Sequence, residues 1–384
     1  MKIKKILVLT DTMPWGHRSI ARSIYNYLKP KEKENGWKVE YVEVKSDLGI
    51  GADLYTWTYR TMPRSNRWAY KLAVESQTAR EYLNNLSKMG LPKIRSVIAK
   101  YRPDLVISAY FFHSQTLGKM KGEGKYEFKL WTVVADPWSV NPVSFVENAD
   151  MHLVYDEVGE NMAGDYGITK DKVLKTGWWV REQMYQKFTK LQIANYKKKL
   201  GFEDDRPVIF VGGGSLGNNV LPKILPMLLM VDRKVGFVFN AGTDKFAYNL
   251  VEQYQKLLKG VRKDNLIQIK NLGWIENMAE VLAGCDMVFG KAGPNFLFDC
   301  MACEKPFVAI THIGGQEDGN LEIILEKKLG WVKEKNLDLF RFLLRYLEYP
   351  KLYEEKYMKN IKDEATKNKS SLKKIEEGII KYLP

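Results

Sequence analysis

Cysteine and histidine are scarce: 384 residues hold three Cys and four His. Cys285, Cys300 and Cys303 cannot build a disulfide framework, and so few in so long a chain fit a reducing, cytoplasmic setting. Cys300 and Cys303 are spaced C-x-x-C. No second pair completes a zinc site, and FLFDCMACE reads as helix, so both are expected as small apolar residues and no metal site is expected. Long hydrophobic runs are also missing. Nothing approaches the ~18–20 apolar residues of a membrane span. In MKIKKILVLTDTM only ILVL is apolar, which reads as a first strand rather than a signal peptide. Acidic residues are outnumbered, 46 Asp+Glu against 60 Lys+Arg, leaving a net charge of +14. What is present is ordinary globular composition, 45% hydrophobic and 28% charged. That excludes a disordered, collagen-like or coiled-coil chain. Single domains stop growing near ~250–300 residues, so two are expected.

Positive charge concentrates in residues 55–102. Ten basic residues, Arg60, Arg64, Arg67, Lys71, Arg80, Lys88, Lys93, Arg95, Lys100 and Arg102, stand against Glu75 and Glu81. Trp57, Trp68 and several tyrosines are interleaved. Basic side chains mixed with Trp and Tyr suit an anionic membrane surface, where aromatic rings sit at headgroup level. A solvated helix face with its aromatics turned into the core is the alternative. Nucleic-acid binding is not expected, because neither an RNA-binding sheet signature nor zinc-finger spacing accompanies the charge.

Short β-branched runs alternate with helical patterns. Strands are predicted at 4–9, 37–44, 104–109 and 129–135, with helices at 17–28, 66–86 and 93–100. The rhythm restarts after the polar stretch 186–206. Strands follow at 207–211, 235–239, 265–269, 286–290 and 306–310, and helices at 219–231, 245–259, 276–283, 295–303 and 319–328. This alternation predicts an α/β chain of two doubly wound, Rossmann-like domains with parallel sheets. The expected limits are 1–190, 191–350 and a charged helical tail over 351–384. Ligands of such sheets bind beyond the carboxyl ends of the strands.

Four motifs occupy such ends. The first is Asp11-Thr12-Met13-Pro14-Trp15-Gly16-His17-Arg18, between a strand and a helix. Gly16 permits a tight turn, and His17, with an ordinary pKa near ~6.5, can take a proton from a hydroxyl at neutral pH. A helix-capping role without chemistry is the alternative for His17. The second is Val211-Gly212-Gly213-Gly214-Ser215-Leu216-Gly217, where Gly213, Gly214 and Ser215 let a ligand approach the backbone. No Lys-Ser/Thr follows, so it is not a Walker loop. The third runs from Gly290 to Asp299. Lys291, Gly293, Pro294 and Asn295 form a strand-to-helix turn able to present N–H donors to phosphate, and Asp299 can accept from ribose hydroxyls. The fourth, Gly314-Gly315-Gln316-Glu317-Asp318-Gly319-Asn320, offers Gln316, Glu317 and Asn320 to sugar hydroxyls. Asp136, ending WTVVA, is a further carboxylate at the same edge.

Together these stretches resemble the monogalactosyldiacylglycerol synthase and processive diacylglycerol glycosyltransferase family. They are more distantly similar to the peptidoglycan transferase that adds N-acetylglucosamine to a lipid-linked muropeptide. DTMPWGHR stands against the family's D-T-G-G-G-H-R. Gly273, Trp274, Met278, Cys285, Asp286, Lys291, Ala292, Gly293 and Pro294 match its G-W-x-x-x-M…C-D…K-A-G-P block. Gly315, Gln316, Glu317, Gly319 and Asn320 match P-G-Q-E-x-G-N. The chain departs from the pattern at Met13-Pro14-Trp15, at Asn295-Phe296 where the family has Gly-Thr, at Asn141, and at Tyr110 where plant members carry histidine.

The resemblance implies a B-type glycosyltransferase that inverts the anomeric centre and needs no metal or cofactor, a UDP-sugar being the donor substrate. Gly273 and Trp274 would line the uracil, Lys291 to Asn295 the diphosphate, and Gln316, Glu317 and Asn320 the sugar. Asp299 replaces the family's ribose-binding glutamate. The N-terminal domain would take a lipid acceptor through Gly16, Arg18, Trp57, Arg60, Arg64, Arg67 and Trp68. His17 would act as general base, with Asp136 second in line. The implied activity is hexose transfer to a diacylglycerol-type lipid, by an enzyme held peripherally on the inner face of the cell membrane. Transfer of N-acetylglucosamine to a polyprenyl-linked acceptor, or nucleotide-sugar binding without catalysis, are the alternatives.

Overall fold

A computed structural model describes residues 3–13, 16–46, 67, 70, 76, 78, 90–213, 220–262 and 264–383. The chain forms two compact units. The first comprises Met1–Glu182, Gly314–Gly319 and Lys367–Pro384, and the second Gln183–Ile313 and Asn320–Thr366. The tail expected over 351–384 is thus divided between them. The predicted helix 66–86 falls almost wholly outside the described residues, as do Trp57, Arg60, Arg64, Trp68, Gly214 and Ser215.

The first unit is organised by six parallel strands: β1 (Lys4–Thr10), β2 (Trp37–Glu43), β3 (Leu105–Ser108), β4 (Lys129–Val133), β5 (Met151–Val154) and β6 (Val173–Lys175). Their order is β2-β1-β3-β4-β5-β6. Ile6 to Leu9 are buried on both faces, which is why β1 reads as a continuous apolar run rather than an alternating one. The connecting helices are α1 (Gly16–Leu28), α2 (Leu91–Tyr101), α3 (Phe111–Gly122) and α4 (Glu157–Asp165). Ile20, Ile24 and Leu28 recur at helical spacing and are buried. Leu7, Leu9, Val106 and Leu130 of the sheet meet Ile94 and Ile98 of α2 and Leu117 and Met120 of α3. Each such side chain contributes about 1.5–3 kcal/mol on burial. The helix Ser371–Tyr382 returns to α1, where Glu376 accepts from Tyr27 Oη at 2.9 Å, and to the following turn, where it accepts from Asn35 Nδ2 at 3.2 Å.

The second unit repeats the plan: β7 (Val208–Gly212), β8 (Val235–Asn240), β9 (Ile267–Leu272), β10 (Met287–Lys291), β11 (Phe307–Thr311) and β12 (Gly330–Val332), ordered β12-β11-β10-β7-β8-β9. Three of its helices are α5 (Lys245–Val261), α6 (Pro294–Ala302) and α7 (Asp318–Glu326), the last beginning on residues counted in the first unit. Phe237, Phe239, Phe289, Val308 and Ile310 pack with Leu339, Phe342 and Leu343 into one core. Both sheets are wholly parallel, so in each all carboxyl ends lie along one edge.

The fold class is as expected from the alternation. Three short strands, β5, β6 and β12, are absent from the expectation, their three or four residues standing without a flanking β-branched run. The helix expected over 219–231 is a short turn, Leu221–Ile224, followed by a 3₁₀ stretch, Leu225–Leu229. Pro222 and Pro226 lack the N–H groups an unbroken α-helix needs there. α3 is absent from the expectation because its buried residues include His113, Ser114 and Thr116 as well as Leu117 and Met120, leaving no apolar stripe.

Candidate active site

At the carboxyl edge of the first sheet, Asp11 follows β1 and is buried. Its Oδ1 accepts the Met13 N–H at 2.7 Å, and its Oδ2 accepts the Ser46 N–H at 2.8 Å. His113 Nε2 lies 2.9 Å from the Val44 carbonyl and 3.7 Å from Asp11 Oδ2. A carbonyl only accepts, so Nε2 carries the proton, and burial holds this imidazole neutral by lowering its pKa.

His17 is the second residue of α1, a position fixed by Gly16 at the helix start. Its ring stands edge-on to Tyr110, with centroids 5.3 Å apart, and 6.2 Å from Phe111. Burial pushes its pKa down to about 4, against a hydrogen bond to the Ala109 backbone and the charge of Asp11. His17 is therefore neutral at pH 7, the form that can accept a proton. Arg18 does not extend free from this helix: its Nε donates to Glu43 Oε1 at 2.7 Å, shared with Arg22 at 3.1 Å. Gly16 is exposed.

The loop Gly314–Gly319 groups with the first unit and brings Gln316 to Asp136, Nε2 to Oδ1 at 3.4 Å. Burial raises the Asp136 carboxyl to about 7, and the buried Glu317 adds repulsion in the same direction. Near pH 7 this aspartate is divided between acid and base. Arg67, expected at an acceptor surface, pairs with Asp318 at 3.1 Å. Tyr70 and Asp318 join this cluster, as do Trp138 and Ser139, for which the sequence carries no signal. DPWS is an unremarked tetrapeptide, and its partner loop lies 180 residues away.

The second unit holds the remaining candidates. Lys291 ends β10 and is buried. The register with β11 shifts between Gly290 and Lys291, so the ladder is irregular at this strand end. Gly293 is the N-cap of α6 in extended conformation, and Pro294 opens the helix, where its missing N–H costs nothing. The first turn, including Asn295, presents backbone N–H groups and the positive end of the helix dipole. Asn320 is buried and donates Nδ2 to the Ala292 carbonyl at 2.7 Å, which pins the Lys291–Gly293 turn. Its Oδ1 is buried with no partner among the described residues.

Asp299 is buried on α6 and lies beside Tyr185, whose phenol is pushed up by burial and then by the Asp299 charge. Gly213 follows β7. Gly273 follows β9 with its Cα region 3.7 Å from the Gly242 carbonyl, measured to the place a Cβ would take. Trp274 beside it is 74% exposed. The departure at Phe296 has a packing reason. A Cβ on Gly290 would come within 2.7 Å of the Phe296 ring and one on Gly212 within 3.1 Å, so the ring fills a hollow that two glycines leave open. Phe210 and Phe307 flank it at 5.9 and 5.8 Å.

Among the described residues no helix is long and apolar enough to cross a membrane, and no group of three or more His, Cys, Asp and Glu residues can hold a metal ion. Cys303 Sγ donates to the Met184 carbonyl at 3.3 Å, and the buried Cys300 has its thiol pushed up.

Residues 17–180 match the family model for monogalactosyldiacylglycerol (MGDG) synthase, and residues 208–374 match the glycosyltransferase family 28 C-terminal domain. Among curated relatives, the processive diacylglycerol beta-glucosyltransferase of Bacillus pumilus is 21% identical over 348 residues, covering 90% of this chain and 87% of the relative. Monogalactosyldiacylglycerol synthase 1 of Arabidopsis thaliana is 22% identical over 342 residues, covering 85% and 62%. The chain spans about two thirds of the length of such plant relatives. The UDP-N-acetylglucosamine--N-acetylmuramyl-(pentapeptide) pyrophosphoryl-undecaprenol N-acetylglucosamine transferase of Clostridium tetani is 25% identical over 391 residues, covering 95% of both. Among solved structures, UDP-GlcNAc 2-epimerase from Neisseria meningitidis bound to UDP-GlcNAc superposes with a TM-score of 0.61 at 16% identity, covering 98% of this chain and 100% of the other. A glycosyltransferase from Rickettsia africae gives 0.59 at 15%, covering 100% and 98%. At these identities the structural likeness establishes the fold, that of the B-type glycosyltransferases.

Proposed function

The chain is a UDP-sugar-dependent glycosyltransferase joining an MGDG-synthase domain to a family 28 C-terminal domain, and we propose that it transfers a hexose to a diacylglycerol-type lipid. The observation that carries the acceptor choice is the match of residues 17–180, the part bearing His17, to the MGDG synthase family. The enzyme works peripherally at the inner face of the cell membrane, with the basic aromatic stretch 55–102 against anionic headgroups.

In this reading the acceptor hydroxyl loses its proton to neutral His17 as its oxygen attacks the anomeric carbon. The bond from that carbon to the diphosphate oxygen breaks, and UDP leaves. Lys291 and the N–H groups opening α6 meet the negative charge that develops on the diphosphate. No metal or cofactor is assigned a role. Gly213, Gly214 and Ser215 border the donor, Gly273 and Trp274 take the base, Asp299 the ribose, and Gln316, Glu317 and Asn320 the sugar. Incubation with diacylglycerol vesicles and a panel of labelled UDP-hexoses, followed by lipid extraction, tests the proposal. Label is expected in a glycosyl-diacylglycerol; label in no lipid fraction sinks it.

The second reading is transfer of N-acetylglucosamine to a polyprenyl-linked lipid. It is favoured by the Clostridium tetani relative, which aligns over nearly the full length of both chains. The same assay with labelled UDP-N-acetylglucosamine and a polyprenyl diphosphate acceptor separates the two.

The pH profile distinguishes the candidate bases. A base works in its unprotonated form, so rate falls as pH drops through its pKa. With His17 lowered to about 4, its limb in kcat/KM lies near pH 4 and leaves pH 5–8 flat. With Asp136 raised to about 7, any inflection near neutrality belongs to that carboxyl. We expect Asp136→Asn to abolish a neutral inflection and leave the acid limb in place. An unchanged neutral inflection in that variant would contradict the assignment.

A further inference from the structure

The loop Gly314–Gly319 meets its neighbours through closely approaching backbone at its three glycines. A Cβ on Gly319 would sit 2.7 Å from the Trp138 carbonyl carbon and the Ser139 nitrogen, where rigid backbone cannot yield. Gly315 has φ +86 and would bring a Cβ within 2.8 Å of Tyr70. Gly314 would meet Arg67 Cβ at 3.0 Å. Three glycines thus mark a close approach that other residues would prevent.

Hydrogen bonds then set the register. The Gly315 N–H donates to Asp318 Oδ1 at 2.9 Å and closes the turn. The Gly319 N–H donates to Ser139 Oγ at 2.5 Å. Tyr70 Oη donates to the Ser139 carbonyl at 2.6 Å. The shelf under the loop is itself fixed: Trp138 Nε1 donates to both carboxylate oxygens of Asp156 at 3.1 Å, and Asp156 caps the start of α4 through the Val158 N–H. The Arg67–Asp318 pair adds little, because Arg67 is 67% exposed and surface ion pairs are weak. Gln316 and Glu317 stand between the two hydrogen-bonded ends of this loop.

We propose that Ser139 is a positioning residue for recognition of the donor's sugar. Its hydroxyl holds Gly319, and through the closed turn it fixes Gln316 and Glu317 where they read hydroxyl groups. This deepens, and rests on, the reading that the 316–320 segment touches the sugar rather than the nucleotide. It separates two parts of donor affinity. The nucleoside diphosphate is held by Lys291 and α6, whereas discrimination among sugars depends on a serine far from both in sequence.

The test compares dissociation constants of the full chain for UDP, UDP-glucose and UDP-galactose by calorimetry, in wild type, Ser139→Ala and Ser139→Thr. Removing the hydroxyl leaves the Gly319 N–H unpaired, and the affinity gained from the preferred sugar is expected to fall roughly tenfold. UDP binding should change less than about twofold, which also shows that the variant is folded, and Ser139→Thr should restore sugar binding. Wild-type sugar affinity in Ser139→Ala overturns the inference, as does an equal loss for UDP and both UDP-sugars. A wild-type chain that binds UDP and UDP-sugars equally overturns the sugar-reading role of the loop itself, and the inference falls with it.

Discussion

His17→Ala is expected to lower the turnover of lipid glycosylation by about 10²–10⁴-fold, the usual range for loss of a general base. At ~1.36 kcal/mol per decade that is roughly 3–5 kcal/mol of transition-state stabilisation. The structure supplies the reason the effect should be catalytic. Burial against Tyr110 and Phe111 keeps His17 neutral, and its Nδ1 is buried with no partner among the described residues. The other two histidines of this unit are spent on the backbone: His113 on the Val44 carbonyl, and His152, which accepts the Val146 N–H through Nε2 at 2.9 Å. Initial rates at saturating donor and acceptor, with a thermal melt to exclude loss of folding, read the change. UDP affinity should remain within about twofold, since the donor groups sit on other strands. Wild-type turnover in His17→Ala would remove this residue from the chemistry and leave Asp136 as the base.

Lys291→Met is expected to lower kcat by about 10²–10³-fold, the cost typical of deleting one preorganised group that stabilises developing negative charge. Methionine keeps most of the apolar stem and removes the charge, so the variant reports electrostatics rather than a cavity. The register shift at Gly290/Lys291 shows that the strand is distorted at this residue. Asn320 holds the adjoining turn through Ala292 at 2.7 Å, so the lysine projects from fixed backbone. Its loss should therefore fall on kcat more than on acceptor KM. Weakened UDP binding is expected alongside. A variant with unchanged kcat and unchanged UDP affinity would place the diphosphate elsewhere.

The strand-end placement of several candidate residues was legible before any coordinates. His17, Lys291, Gly293 and Pro294 follow the carboxyl ends of predicted strands, and in a parallel sheet every such end lies on one edge. The resemblance to a known family rested on the same turns, and the family matches agree with it. Other parts were invisible. Arg18 and Arg67 look like free cations in the sequence, yet Glu43 and Asp318 take them. Phe296 looks like an intrusion into a phosphate turn until Gly212 and Gly290 are seen beneath it.

Sequence alone determined the two parallel α/β sheets, because alternation of short apolar strands with helices is a local pattern that survives in one dimension. It also located the strand-end turns to which the proposed chemistry is assigned. Tertiary structure decided which groups are poised and which are spent. The pKa values of His17 and Asp136 depend on how much water surrounding atoms displace. The hold of Ser139 on Gly319 depends on two backbones 180 residues apart meeting where glycine leaves room. Desolvation and close approach are sums over neighbours in space, and the order of residues along a chain does not specify those neighbours by itself.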